Sequence, residues 1–289
     1  MISINESNKK IIELLEKNEP FFISRLGIGD ETHISLEYLL TNKINSKFLN
    51  KNINLNGVYS KSDKLNDYED FCKKYLDSIK NSNYIACFTF NSRNIIKIQN
   101  FFINKYSLKI LHSRVLEPFY CCLENEKPWS NYLINKKVLI ISPFVHSFQK
   151  QINNNFQIFK DPSKKLFLDG QEFVFYKSYQ TIAGNHLHNN WLETYNLMIN
   201  DIKDIEFDIA LVSCGAYGLP ICNFIKTEMN KSSIYIGGGL QLLFGVIGKR
   251  WENNEMWNKI IQENDTKFIK PSGDEIIQNN KTIENGCYW

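Results

Sequence analysis

Three short stretches of this sequence combine glycine with charged side chains in a way that suits an anionic ligand. In SSIYIGGGLQLLFGVIGKRW (232–251), Gly237, Gly238 and Gly239 follow a β-like run, Gln241 can hydrogen-bond, and Lys249 and Arg250 close the segment. Glycines at a strand-to-helix turn let backbone N–H groups approach an anion, and the helix N-terminus adds about half a positive charge. Three in a row cost about 1 kcal/mol each relative to alanine in regular structure. Such a run implies a close backbone approach, by a ligand or by a packed neighbour with the basic end left in solvent. In SCGAYGLPICNF (213–224), Gly215, Ala216, Tyr217 and Gly218 make a similar turn ahead of Pro220, without the full G-x-G-x-x-G spacing. Turns of this kind also recur in α/β proteins simply to redirect the chain.

The third stretch is SRLGIGDE (24–31), where Arg25, Gly27 and Gly29 lead into Asp30 and Glu31. Adjacent carboxylates could hold Mg²⁺ or Mn²⁺ against a diphosphate, because hard oxygen ligands suit those ions. The plainer alternative makes Asp30 a helix N-cap and lets Glu31 favour the dipole. Two further groups could move a proton: His146 in SPFVHSFQKQ and Glu117 in LEPFY. His186 and His188 form an H-x-H pair with no third ligand nearby in sequence, and Trp129 in KPWS suits core packing.

These residues need elements to carry them. Residues 5–17 read as a helix with Ile11, Ile12, Leu14 and Leu15 on its apolar side, stopped at Glu19-Pro20. Phe21–Ser24 reads as a short strand and 31–40 as a helix behind Asp30. A helix with Phe71, Tyr75, Leu76 and Ile79 at its spacing precedes a strand at Tyr84–Phe90. KKVLIISP, stopped by Pro143, is the clearest buried parallel strand, and the helix behind it carries Phe148 and Ile152. QEFVFYKSY reads as a strand, WLETYNLMINDI as a helix, and FDIALVSCG as a second clear strand leading to a helix over 219–229. Repeated strand–glycine turn–helix units predict an α/β fold with a mostly parallel, doubly wound sheet flanked by helices. A soft break near residue 130 divides the expectation into two α/β subdomains, 1–130 with the SRLGIGDE segment and 131–289 with the CGAYG and GGG turns.

With 43% hydrophobic and 22% charged residues over 289 positions, the chain can build a substantial core. A net charge of +3 is too mild to make nucleic acid the expected partner. No apolar run approaches the roughly 20 residues of a membrane-spanning helix, and the N-terminal stretch does not read as a secretory signal. Seven cysteines, an odd number with no C-x-x-C pair, fit reduced thiols in a cytoplasmic compartment better than a disulfide framework or zinc site.

Taken together, these segments resemble a known group. FFISRLGIGDE is similar to the SxxRxGDGE segment near the N-terminus of bacterial GT-D-type glycosyltransferases, metal-dependent enzymes of surface-polysaccharide and glycoprotein assembly. The blocks NLNGVYS, LEPFY…KPWS, KKVLIISPFVHSFQKQ, FDIALVSCGAYGLP and GGGLQLLFGVIGKRW resemble uncharacterised proteins associated with polysaccharide biosynthesis. The resemblance implies a Rossmann-like fold and transfer of a sugar from a nucleotide-diphospho-sugar donor to a glycan or glycoconjugate acceptor. It places the diphosphate at the turns of 215–218 and 237–239, with Arg25, Lys249 and Arg250 balancing its charge. In the GT-D pattern the metal-holding acids are spaced D-x-E. Aligned from Arg25, Ile28 stands at the first acid and Asp30 at the second, with Glu31 one position later. Either the acids have shifted to the adjacent Asp30-Glu31 pair, or metal binding is weakened or lost. The general base is left open among Glu31, Glu117 and His146. A non-catalytic nucleotide- or glycan-binding module and a methyl or pyruvyl transferase are the competing expectations, and homo-oligomerisation is left open.

Overall fold

Strands whose every residue is apolar need cover on both faces, and parallel sheets between helix layers supply it. A computed structural model describes residues 2–27, 29–45, 49, 55–89 and 93–289 of the chain. Its elements run α1 (Ile4–Lys17), β1 (Phe22–Ser24), α2 (Asp30–Thr41), α3 (Leu65–Asn81), β2 (Tyr84–Cys87), α4 (Arg93–Tyr106), β3 (Lys109–His112), α5 (Phe119–Leu123) and β4 (Lys137–Ser142). Then follow α6 (Val145–Asn153), β5 (Glu172–Lys177), α7 (Trp191–Lys203), β6 (Ile209–Val212), α8 (Gly218–Thr227), β7 (Ser232–Tyr235), α9 (Leu240–Leu243), α10 (Lys249–Glu252) and α11 (Glu255–Asn264). The strands form one seven-stranded sheet in the order β3-β2-β1-β7-β6-β4-β5, parallel throughout. This is the α/β, Rossmann-like architecture expected from the strand–turn–helix repeats. The break read near residue 130 lies in the 3₁₀ turn Trp129–Leu133, and β1 from the first part pairs with β7 from the second.

The period-2 alternation of the strands sorts their side chains into two cores. Leu139 and Ile141 of β4 and Ala210 and Val212 of β6 face one core, with helices α2, α3, α7 and α8. Val138, Ile140, Ile209 and Leu211 face the other, with α1, α5, α6 and α9. Along β1-β7-β6-β4, each strand sends the chain to the face opposite its neighbour's. Behind β1 the chain enters α2 on the first face, behind β7 it enters α9 on the second, behind β6 it returns to the first in α8, and behind β4 it enters α6 on the second. A crevice must open between connections that part in this way, at the carboxyl ends of those strands.

Several local readings change. The N-cap of α2 is Gly29, with no side-chain cap bond, and Asp30 is already its first helical residue. Ile152 is exposed, while Phe148 on the same helix is buried. The β3 strand and α4 were not among the elements read from the sequence. In β3, Lys109 and Ile110 lie exposed at the sheet edge and only Leu111 is buried, so alternation over four residues gives little signal. The strand read over Tyr84–Phe90 ends at Cys87, and Phe90 lies outside the described residues.

Candidate functional site

The crevice is a cleft of about 570 Å³ bounded by the segments that follow β1, β4, β6 and β7. Gly237–Gly239 form a 3₁₀ turn directly after β7. Each glycine faces a different large side chain. A Cβ on Gly237, whose φ of +71° already favours glycine, would fall on the Arg25 guanidinium; one on Gly238 would lie 2.7 Å from the Tyr288 ring. A Cβ on Gly239 would lie 2.6 Å from Cγ and 2.7 Å from Cδ of Glu117. The run of small residues is therefore needed for packing, and what it admits is a set of charged and aromatic groups lining the cleft.

Those groups form a cluster. Glu117 lies between two guanidiniums, 3.6 Å from Arg25 Nη1 and 3.6 Å from Arg114 Nη1. Its side chain is only 11% exposed and that of Arg25 16%. Burial pushes the Glu117 carboxyl above its ordinary value, while Arg25 and Arg114 pull it back down. Arg25 also lies 5.6 Å from the centre of the Phe88 ring, and Arg114 stacks over Tyr120. A buried ion cluster is seldom a net source of stability compared with apolar residues of the same volume. Its placement beside an open cleft gives it another use: it holds two guanidiniums in fixed directions.

Glu31, at the start of α2, also lines the cleft. Gly27 and Gly29 wrap its carboxylate so closely that a Cβ on either would fall on it. The carboxyl is held above its ordinary range chiefly by burial, with the neighbouring Asp30 charge adding to the rise; N–H groups of Glu31 itself and Gly29 oppose it. A carboxyl so placed binds a proton more readily than an exposed glutamate and can take one from a ligand hydroxyl. Cys214, at the end of β6, also lines the cleft, but burial alone pushes its thiol far above the range of a reactive thiolate.

The fourth wall comes from residues 250–289. Trp251, Glu284, Tyr288 and Trp289 reach the cleft together with Arg250. Backbone bonds fix this wall: Lys249 N–H donates to the Trp289 carbonyl and Arg250 N–H to that of Cys287, both at 3.0 Å. Trp289 Nε1 donates to the Glu275 carbonyl at 2.9 Å. Glu275 is itself buried, its carboxylate accepting from the Ser147 N–H and hydroxyl at the start of α6.

Of the residues singled out in the sequence, Arg25, Gly27, Gly29, Glu31, Glu117, Gly215, Ala216, Tyr217, Gly237, Gly238, Gly239, Gln241 and Arg250 line this one cleft. Asp30, His146, Gly218 and Lys249 are not among its lining residues. Gly218 lies against the Tyr235 ring inside α8. His146 sits outside, with Nδ1 3.3 Å from Asp274, which also pairs with Lys177. Gln241 is buried and its Nε2 donates to the Tyr288 carbonyl at 3.3 Å, so it ties the fourth wall in place. The H-x-H pair is part of the packing: His186 stacks on Tyr59 at 4.0 Å and His188 Nδ1 lies 2.9 Å from Thr194 Oγ1. Trp129 is core, its Nε1 donating to the Val115 carbonyl. The sequence reading missed Arg114, Phe88, Tyr288 and Trp289. Arg114 stands three residues before Glu117, and that i, i+3 spacing was the available signal.

A divalent ion finds few ligands here. Among the described residues no group of three or more His, Cys, Asp or Glu side chains could hold one. Consecutive positions on a helix point about 100° apart, and only Glu31 of the Asp30-Glu31 pair lines the cleft. Its carboxylate already accepts from two backbone N–H groups. Ile28 lies outside the described residues. This donor set does not make a protein-built metal site, and the positive charge facing the cleft is carried by arginines.

A family profile described as a GT-D fold-like domain matches residues 2–243 of the 289. No curated protein and no solved structure matches the chain. The matched segment ends within α9, so Arg250, Trp251, Glu284, Tyr288 and Trp289 are contributed from beyond it.

Proposed function

The chain belongs to the GT-D-like family, and from that premise we propose that it is a glycosyltransferase that moves a sugar from a nucleotide-diphospho-sugar to a glycan or glycoconjugate acceptor. The observation that carries the reading is the charge lining of the cleft. Arg25, Arg114 and Arg250 line it together with the Gly237–Gly239 turn, and so does a buried carboxyl, Glu31, whose affinity for a proton is raised by burial.

In this reading the diphosphate lies against the glycine turn. Leaving-group departure concentrates negative charge on it, and guanidiniums held in advance by Glu117 stabilise that charge without reorganising during the reaction. Arginine suits the task because its planar fork meets phosphate oxygens two at a time. Of the three candidate bases, Glu31 fits best: it takes the proton from the acceptor hydroxyl as that oxygen attacks the anomeric carbon. Glu117 is engaged by two arginines and serves as a positioning residue, and His146 stands outside the cleft. The aromatic wall of Phe88, Tyr288 and Trp289 offers flat apolar faces for a nucleobase or a sugar ring.

The test is turnover. Release of sugar or its transfer from UDP-, GDP- or dTDP-sugars is measured for the wild type, Glu31→Gln and Arg25→Gln. The reading expects Glu31→Gln to lose turnover while keeping donor binding, and Arg25→Gln to lose binding. Wild-type binding without any turnover would favour a non-catalytic nucleotide- or glycan-binding module. Turnover that survives Glu31→Gln would remove Glu31 from its role.

A further inference from the structure

Arg250 faces the cleft already occupied. Its Nη2 donates to Glu284 Oε2 at 2.6 Å, its guanidinium lies 4.7 Å from the centre of the Tyr288 ring, and both Arg250 and Glu284 line the cleft. The backbone that presents Glu284 is unusual. Glu284, Asn285 and Gly286 take φ values of +45°, +57° and +81° in succession, one left-handed turn. Asparagine and glycine accept that region readily; glutamate does so only under strain.

The ion pair does not account for this strain. The two side chains are 36% and 64% exposed, and pairs this open contribute little to stability. The carboxylate reaches residues 287–289 at the Cys287 thiol, which Arg250 Nη2 also meets at 3.4 Å, but their other anchors do not involve it: the backbone bonds to Lys249 and Arg250, the Gln241 bond to the Tyr288 carbonyl and the Trp289 bond to Glu275. What the turn achieves is to set a carboxylate on a cleft-lining guanidinium, in the position a ligand's anionic group would take.

We infer that Glu284 is an internal counter-ion that occupies Arg250 until the phosphate of an incoming ligand displaces its carboxylate. The exchange swaps one charge-assisted contact for another and lets the turn at 284–286 relax, while residues 287–289 stay anchored. Glu284 thereby lowers the affinity of the cleft for simple anions and favours ligands with enough further contacts to complete the displacement. The inference deepens the transferase reading and rests on its claim that the cleft takes a diphosphate.

The test uses inorganic pyrophosphate and calorimetric titration of the whole chain. Glu284→Gln removes the charge and keeps the size, and pyrophosphate should then bind about three- to tenfold tighter than to the wild type. Glu284→Gly, which also removes the strain, should tighten binding at least as much. In an Arg250→Gln background the same Glu284→Gln change should have no effect, because the contact it frees is gone. An equal gain with and without Arg250 would mean that only a general repulsion was removed, and would overturn the exchange. Unchanged or weaker binding in Glu284→Gln would do the same. Pyrophosphate bound by the wild type with no coupling between 250 and 284 defeats this inference and leaves the transferase reading standing. Absence of binding to wild type and variants alike defeats both.

Discussion

Gly239→Ala isolates the packing argument for the glycine turn. Gly239 has φ −63° and ψ −18°, ordinary for any L-residue, so backbone strain plays no part. At such a position alanine normally stabilises by about 0.4–1 kcal/mol, through the unfolded chain. Here the new methyl would lie 2.6 and 2.7 Å from Cγ and Cδ of Glu117, well inside contact distance. Glu117 cannot swing away cheaply, because its carboxylate is buried between Arg25 and Arg114. Overpacking of this kind costs about 1–3 kcal/mol, so the sign reverses. At about 2–4 °C per kcal/mol, the melting temperature should fall by several degrees, read by calorimetry or circular dichroism. In a Glu117→Ala background the methyl meets no carboxylate and the penalty should vanish, a coupling that a double-mutant cycle measures. A neutral or stabilising Gly239→Ala, or an equal penalty without Glu117, would refute the claim that the glycine is there to admit the ion cluster.

Other variants probe the remaining walls. Burial raises the Glu31 carboxyl pKa in the folded state, so folding binds its proton; stability then falls as pH rises from the ordinary glutamate range through the folded value, and stays lower above it. Glu31→Gln should melt above the wild type at pH 8, with the gap closing toward pH 4; a constant gap across that range would contradict the burial effect. His146→Ala and Asp30→Ala should leave donor binding within about twofold of wild type, since His146 makes an exposed pair and Asp30 lies off the cleft; a tenfold loss in either would return that residue to the site. Trp289→Ala should destabilise by about 3–5 kcal/mol, since the indole is buried and bonded to Glu275; a shift under 1 °C would show that this wall is not packed as described.

How much of this was legible in the sequence depended on the physical signal each residue leaves. KVLIIS announces β4 because it is covered on both faces, with five of its six residues buried. The glycine turns were legible as turns, but what they face was not: Glu117 stands some 120 positions from Gly239 and Tyr288 some 50, and only the sheet order brings them together. Asp30 and Glu31 are chemically alike and adjacent, so choosing the one that faces the cleft required the start of α2, which falls one residue earlier than an Asp30 cap would place it. The residues from 267 onward show no hydrophobic period, because a wall fixed largely by backbone bonds does not need one. Among the described residues no helix is long and apolar enough to cross a membrane.

The central claim is that the cleft recognises the diphosphate of a nucleotide sugar through its arginine pole. The most direct measurement is a thermal-shift comparison of UDP-, GDP- and dTDP-sugars with CMP-sugars, which carry a single phosphate, each with and without Mn²⁺, on wild type and Arg25→Gln. At 100-fold over Kd, a ligand that binds only the folded state stabilises by about 2.7 kcal/mol, an easily visible shift. The account predicts a shift with at least one diphosphate sugar, less or none with CMP-sugars, and its loss in Arg25→Gln. No shift with any nucleotide sugar, or one that survives Arg25→Gln intact, would contradict it.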